Sequence, residues 1–524
     1  MKRKYIFAAL TIFQKIGEAC LAHLPTRSDT SHSLVRRSAS APRTKTAIQN
    51  VRVFDGEGFS DMQTIIIAGE IMGTNTSNIE TVVDAGGRFL IPGLIDAHVH
   101  VNDLQGLEDL TSYGVTTGMI MSCLNYTMCA SLHGLEGLAS FISAGIGATG
   151  PGSQHAKTFH LNPSQLIYPT DDPAAVVSYT FGNGSDFYKI TAEVLGPSQD
   201  MQTALVEEVH KLGKQSMTHA ATISAWQDAV ASRTDGIQHT ASDGLFSSAL
   251  LAQAVQNGQF NTPTMAVFKY GFSNPVVQQF LGVSIGPGSN NSYDNVLANV
   301  FAVYKAGIPV LAGTDAVGTL GPNLSLPFGV TLHHELQNLV EAGLKPVEAL
   351  RAATSLSAHH HRLTDRGLIA PGMRADLVLL NSNPLVNISN TLDIARVWVG
   401  GVEYLDVVKG VGSSNASGNA SAPAAATGTP PTISGAGLIG FLTYSTVAIF
   451  IGFGCAIDLL HSLGIPARPD DRLDSRSGQS TGIPWEINPV TGQGQDIETQ
   501  PSFGEMTDAE KHREAERLFV LFER

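Results

Sequence analysis

The chain is short of charge: 15% of its residues are Asp, Glu, Lys or Arg, and the cations form no stripe with interleaved aromatics, which themselves make up 7%. With a formal net charge of -14, this excludes nucleic acid as a partner, because phosphate binding needs clustered Lys and Arg. It also lacks a Walker loop and a dinucleotide fingerprint, so the Gly-rich stretches Gly145 to Gly152 and Gly282 to Gly288 read as loops. Cysteine is scarce, four in all. Cys20 and Cys455 fall in targeting-like segments, which leaves Cys123 and Cys129 to pair in an oxidising compartment or to stay a free, buried pair. What the chain does have is 43% hydrophobic residues over 524 positions, the composition of a packed globular protein. That length accommodates a barrel of about 250 residues and a second unit.

Metal-binding side chains recur along the sequence at the ends of β-like runs. His98 and His100 lie in Ile91-Pro92-Gly93-Leu94-Ile95-Asp96-Ala97-His98-Val99-His100, where strand alternation puts both imidazoles on one face. A single His-x-His is more often chance than site, and the company it keeps decides the matter. Lys189 ends the apolar run Asp186 to Ile190, His219 ends Gln215 to His219, His239 closes Gly236 to Thr240, and Asp315 closes Ile308 to Asp315. Between Lys189 and His219, Leu205, Val206, Val209 and Leu212 recur at helical spacing, with Gly213 where a helix would stop. Strand, helix, strand at this interval implies parallel pairing, and a closed eight-stranded barrel gathers all strand ends of one polarity at one rim. Imidazoles and carboxylates so gathered suit zinc and similar borderline ions.

These residues, with Gly114-Val115-Thr116-Thr117, Ala148 to His155, Gly313-Thr314-Asp315-Ala316, Ala349 to Thr354 and Gly367 to Leu377, resemble the amidohydrolase superfamily from about Ala47 to Val408. The resemblance is narrower still to its carboxylated-lysine branch of imidazolonepropionase-like proteins, Xaa-Pro dipeptidases and ochratoxinase-like amidases. It implies a (β/α)8 TIM-like barrel over 91–361, flanked by a small β-sandwich built from 46–90 and 362–408. It also implies two divalent ions, zinc by chemistry, bridged by a carbamate that Lys189 forms with carbon dioxide. On this likeness His98, His100 and Asp315 hold one ion and His219 and His239 the other. Asp315 then accepts a proton from the shared water and passes it to the leaving nitrogen. His155 is a candidate substrate contact. The expected activity is hydrolysis of a C–N bond in a small amide or dipeptide-like substrate. The rivals are a one-metal deaminase-type hydrolase, which uses a glutamate and lacks the bridging lysine, and a catalytically silent barrel acting as a binding or scaffold protein. His333, His334 and His359 to His361 read as helix-surface residues.

Residues 1–45 open with Met1-Lys2-Arg3-Lys4 and an apolar stretch, the order of a signal peptide, with a mitochondrial presequence as the alternative. Sequons at Asn75, Asn125, Asn183, Asn290, Asn323, Asn387, Asn415 and Asn419 favour a secreted or extracytoplasmic glycoprotein. A polar spacer covers 409–432, and 433–457 runs uncharged at membrane-spanning length, which predicts membrane association or a glycolipid-anchor signal. Homo-oligomerisation is a further expectation. In 458–524, Trp485 to Gly492 and Met506 to Arg524 resemble the C-terminal part of synembryn, a Gα exchange factor; the segment carries none of the synembryn solenoid, so no activity is assigned to it.

Overall fold

The computed structural model describes residues 43–321 and 323–407. By contacts the chain divides into 1–418 and 419–524, and the described residues all lie in the first. The expected signal segment, the polar spacer, the 433–457 run and the synembryn-like tail fall outside them. Among the described residues no helix is long and apolar enough to cross a membrane.

The fold is α/β. Five strands open it: β1 Thr46–Val53, β2 Gln63–Ala68, β3 Ile71–Gly73, β4 Thr81–Asp84 and β5 Phe89–Pro92. A parallel set follows, β6 Leu94–Val99, β7 Val115–Ile120 and β8 Ser140–Ser143 in one sheet, and β9 Tyr188–Thr191, β10 Ser216–His219, β11 Gly236–Gln238 and β12 Phe260–Thr262 in another. A hairpin, β13 Gly318–Gly321 with β14 Leu324–Leu326, precedes the closing strands β15 Leu377–Leu380, β16 Ile394–Val399 and β17 Val402–Tyr404. Helices alternate with the parallel strands because the sequence period switches between them. In the helix Gln199–Lys211, Ser198 caps the first turn by accepting from Met201 N, Leu205, Val206 and Val209 are buried, and Gly213 at φ 67 ends it. Leu212 is exposed, since the chain has already left the helix there.

β1 serves three partners. Thr46 to Gln49 pair with β4, Thr46 to Ile48 and Val51 pair with β2, and Arg52 and Val53 pair with β5; the register against β2 shifts between Ile48 and Val51, where Asn50 adopts φ 54. β5 in turn pairs antiparallel with β15, so strands from before and after the parallel set share one sheet of order β17-β16-β15-β5-β1-β2-β3. Ile48, Val51, Ile67, Leu90, Leu377 and Trp398 fill a common core between its halves.

The segment ending at Asp315 forms no continuous strand. Pro309 has no N–H to give, yet its carbonyl accepts from Asn261 N, Leu311 N donates to Asn261 O, and Ala97 N donates to Ala312 O. Parallel bridges Asn261↔Val310 and Val99↔Ala316 tie this segment to β12 on one side and β6 on the other, and Ala148↔Ile190 ties the chain beyond β8 to β9. Cys123 and Cys129, left open as paired or free by sequence, form a disulfide just past β7.

Two expectations fail. His333 is fully buried, bonded to Thr391 Oγ1 and Tyr113 O, and His361 is buried with neither ring nitrogen hydrogen-bonded. Burial pushes their pKa values down to about 4 and about 3, so both are neutral packing residues and not solvated ones. His334 and His359 are exposed as expected.

Candidate active site

Each of these candidate side chains hangs from a parallel strand or from the chain just beyond one. His98 is in β6 and His100 just past it; Lys189 is in β9, His219 ends β10, His239 follows β11, and Asp315 follows the bridged segment. His239 and Asp315 both sit at positive φ, 71 and 58, a conformation costing non-glycine residues about 1 to 3 kcal/mol and concentrated at functional sites.

The ligand atoms of His98, His100 and Asp315 all lie within 4.8 Å of one another. Asp315 Oδ1 is 3.1 Å from His98 Nε2 and 2.9 Å from His100 Nε2. The remaining imidazoles continue from there as a string: ring centroids are 4.7 Å apart for His98 and His239, 4.3 Å for His239 and His219, and 4.4 Å for His219 and His155. Lys189 lines a cavity with His98, His100, His239 and Asp315, while His219 and His155 line an adjoining larger one with His100, His239 and Asp315.

Residues that sequence reading missed set the state of this cluster. Gln238 Oε1 lies 2.9 Å from His98 Nδ1 and can only accept, so the imidazole proton sits on Nδ1 and the Nε2 lone pair faces inward. Thr264 Oγ1 donates to Pro263 O, so at 2.7 Å from His239 Nδ1 it accepts and fixes the same tautomer. Ser122 Oγ holds His100 Nδ1 at 2.9 Å. Nothing in the sequence marks a Ser, Gln or Thr for this duty, because each contacts a histidine from a different stretch of chain. Behind the cluster, buried Asp96 accepts from Thr314 Oγ1 at 2.8 Å, Thr314 N at 3.1 Å and His98 N at 3.2 Å, clamping the two stretches that carry His98 and Asp315.

Burial lowers His98 to about 3 and takes His219 and His239 well below the usual imidazole range. Burial alone would raise Asp315, but His98 and His100 against it hold its pKa well below the ordinary carboxylate value. Burial brings Lys189 down to about 7, against the opposing pull of Asp315. Buried His98, His219 and His239 are therefore neutral imidazoles beside a carboxylate. A lone pair on His98 Nε2 facing Asp315 Oδ1 at 3.1 Å without a hydrogen bond is an arrangement that a cation satisfies, and the donor set fits a metal ion.

His155 stands on the short helix Gln154–Thr158, capped by Ser153, with Nδ1 3.0 Å from Glu193 Oε1 and its backbone N–H on the same oxygen. Glu193, unsingled in the sequence, thereby fixes the loop over the cluster.

The amidohydrolase family model matches residues 190–404, and that of the guanine nucleotide exchange factor synembryn matches residues 445–524, outside the described part. Adenine deaminase 2 of Desulfotalea psychrophila is 25% identical over 71% of this chain and 59% of its own length, and a second adenine deaminase, from Desulfatibacillum aliphaticivorans, is covered over 57%. The chain thus spans under two thirds of these relatives. Imidazolonepropionase of Deinococcus deserti is 26% identical over 61% of this chain and 85% of its own length. Among solved structures, a Xaa-Pro dipeptidase with bound methionine aligns with a TM-score of 0.58 at 20% identity, covering 69% of this chain and all of that one. A. niger ochratoxinase aligns with a TM-score of 0.55 at 17% identity over 71% of this chain and 97% of its own. These likenesses imply a TIM-like barrel, and relatives of this family bind metal ions. The family model, the relatives and the shared fold thus agree in making the described part of this chain similar to the amidohydrolase superfamily.

Proposed function

We propose that the protein is a metal-dependent hydrolase that cleaves the C–N bond of a small amide or dipeptide-like substrate with water. The observation that carries this reading is the convergence of His98, His100 and Asp315 within 4.8 Å, continued by the rings of His239 and His219. In this reading the parallel strands and the bridged segment close as a (β/α)8 barrel, for which the bridges Ala148↔Ile190, Asn261↔Val310 and Val99↔Ala316 supply the links, and β1–β5 with β15–β17 form the flanking sandwich.

His98, His100 and Asp315 would hold one divalent ion and His219 and His239 a second, zinc by the borderline character of the imidazole donors, and Lys189 as a carbamate would supply further oxygen donors. Such ions lower the pKa of a bound water and polarise a substrate carbonyl. The chain's own part begins with Lys189: with its pKa near neutrality, much of the amine is uncharged at pH 7 and free to add carbon dioxide. Asp315 engages both histidines through Oδ1, and we assign Oδ2 to take the proton of the attacking water and deliver it to the leaving nitrogen. His155, steadied by Glu193, faces the substrate side and would orient the carbonyl. Secretion or membrane attachment through 433–457 and self-association remain proposals from sequence.

The test is metal analysis of the purified protein with assays on a panel of N-acyl amino acids, Xaa-Pro dipeptides and neutral amides. We expect about two ions per chain. Lys189→Ala should lose activity by more than about 100-fold, with part restored by short carboxylic acids that replace the carbamate. One ion per chain with activity surviving in Lys189→Ala would favour the one-metal deaminase-type reading; less than one ion and no hydrolysis would leave the silent scaffold.

A further inference from the structure

Ser198, Thr222, Ser247 and Ser292 each close the helix that follows them by accepting a first-turn backbone N–H on their own hydroxyl. Thr264 holds the same place before the helix Met265–Ser273 and does otherwise. Its backbone is left-handed, φ 50 and ψ 49, and its hydroxyl makes no bond to that helix. It donates instead to Pro263 O at 2.8 Å and accepts from His239 Nδ1 at 2.7 Å. A hydroxyl placed to cap a helix is thus committed to a histidine of the cluster. Two penalties follow. A β-branched residue at positive φ is strained, and the first N–H groups of the helix must find partners elsewhere.

Glu335 meets both. It lies fully buried in the helix Val330–Glu341, and its two carboxyl oxygens divide the open end between them: Oε1 accepts from Met265 N at 2.9 Å and Oε2 from Ala266 N at 2.7 Å. These are the two residues directly after Thr264, so the bonds fix the backbone from which its hydroxyl reaches His239. A strained turn persists where its surroundings over-determine it, and Glu335 supplies that constraint from another helix. The helix so held also carries Val267 and Phe268 to the wall of the larger cavity beside the cluster. Further along, the same two helices are tied again by exposed Lys269, whose Nζ donates to Asn338 Oδ1 at 3.1 Å and Glu341 Oε2 at 2.6 Å, a tie that does not involve Thr264.

Resting on the metal-dependent reading above, we propose that Glu335 is a positioning residue for the metal centre: it replaces Thr264 as the cap of Met265–Ser273 and so leaves the Thr264 hydroxyl to hold His239 in its ligating orientation. Competition against a chromogenic chelator, on the full-length protein and without substrate, reads zinc affinity directly. Glu335→Ala and Thr264→Val should each weaken zinc binding by about 10- to 100-fold, the size expected of a group that orients a ligand. Because both act through one hydroxyl, the double variant should be no more than about 2-fold worse than Thr264→Val alone. Lys269→Met, which loosens the same two helices without touching Thr264, should bind zinc as the native protein does. If Glu335→Ala fails to fold, Glu335→Gln takes its place in the cycle: its carbonyl can serve one N–H, but its NH2 group cannot serve the other. Its loss should be about 3- to 10-fold and should likewise vanish beside Thr264→Val. Native affinity in the Glu335 variant, losses that multiply in the double variant, or an equal loss in Lys269→Met would each overturn the proposal, while zinc bound by the native protein keeps the hydrolase reading standing. A native protein that takes up no zinc would remove both.

Discussion

Ser122 touches His100 Nδ1 at 2.9 Å, and through that one contact it decides which nitrogen of the ring points at Asp315. Gln238 and Thr264 likewise contact Nδ1 of His98 and His239, so three neutral polar groups each support a histidine of another stretch. Because such supports align a ligand without touching the ion, Ser122→Ala should weaken zinc affinity by about 10- to 100-fold while leaving stoichiometry unchanged. Competition against a chromogenic chelator measures it; native affinity in the variant would mean that Ser122 is only packed there. Lys189, His219, His239 and Asp315 were visible in the sequence because histidine, lysine and aspartate at the ends of apolar runs have few structural uses. Ser122, Gln238 and Thr264 were not, since hydroxyls and amides at strand ends are common and their role exists only across strands. His333 and His361 misled for the opposite reason: His334 and His359, one and two positions away, are exposed, and a helix turns by about 100° per residue, so histidines this close in sequence meet different environments.

At the scale of elements, the bridged segment Ile308 to Asp315 is held against β6 by close backbone contact. A Cβ added at Gly313 would fall 2.7 Å from the backbone N of His98 and 2.5 Å from Thr262 Cγ2. The first of these atoms is main chain and cannot swing aside. Gly313→Ala should therefore destabilise by about 2 to 3 kcal/mol and displace Asp315 from His98. Gly58→Ala, where a Cβ meets nothing within 4 Å, should change stability by less than about 0.5 kcal/mol. Urea unfolding of the two variants side by side checks the contrast, and equal midpoints would refute it. The period of the sequence revealed the helix Gln199–Lys211 and the strands that flank it, because a buried face leaves a repeat. It did not reveal that the last run would join by single bridges, since Pro309 interrupts the ladder only in the presence of its neighbours.

For the molecule as a whole, the cluster is an electrostatic liability without cations: neutral lone pairs and a buried carboxylate face one another, and two of the residues sit at positive φ. Binding to the folded state alone adds stability by mass action, about 4 kcal/mol for each site at free ion a thousandfold above its Kd. Calorimetry before and after chelator dialysis should show a lower Tm for the stripped protein, restored by zinc; an unchanged Tm would contradict metal binding to this cluster. The charge pattern of the whole chain, -14 with no basic stripe, fits a protein whose partners are small molecules. The pairing of β5 with β15 has its own consequence for how the protein is made. Leu90 and Leu379 are opposite one another in that ladder though the ribosome joins them almost three hundred residues apart. Every growing polypeptide must carry β5 as an open sheet edge through synthesis of the entire catalytic stretch, exposed to stray partners until β15 emerges to cover it.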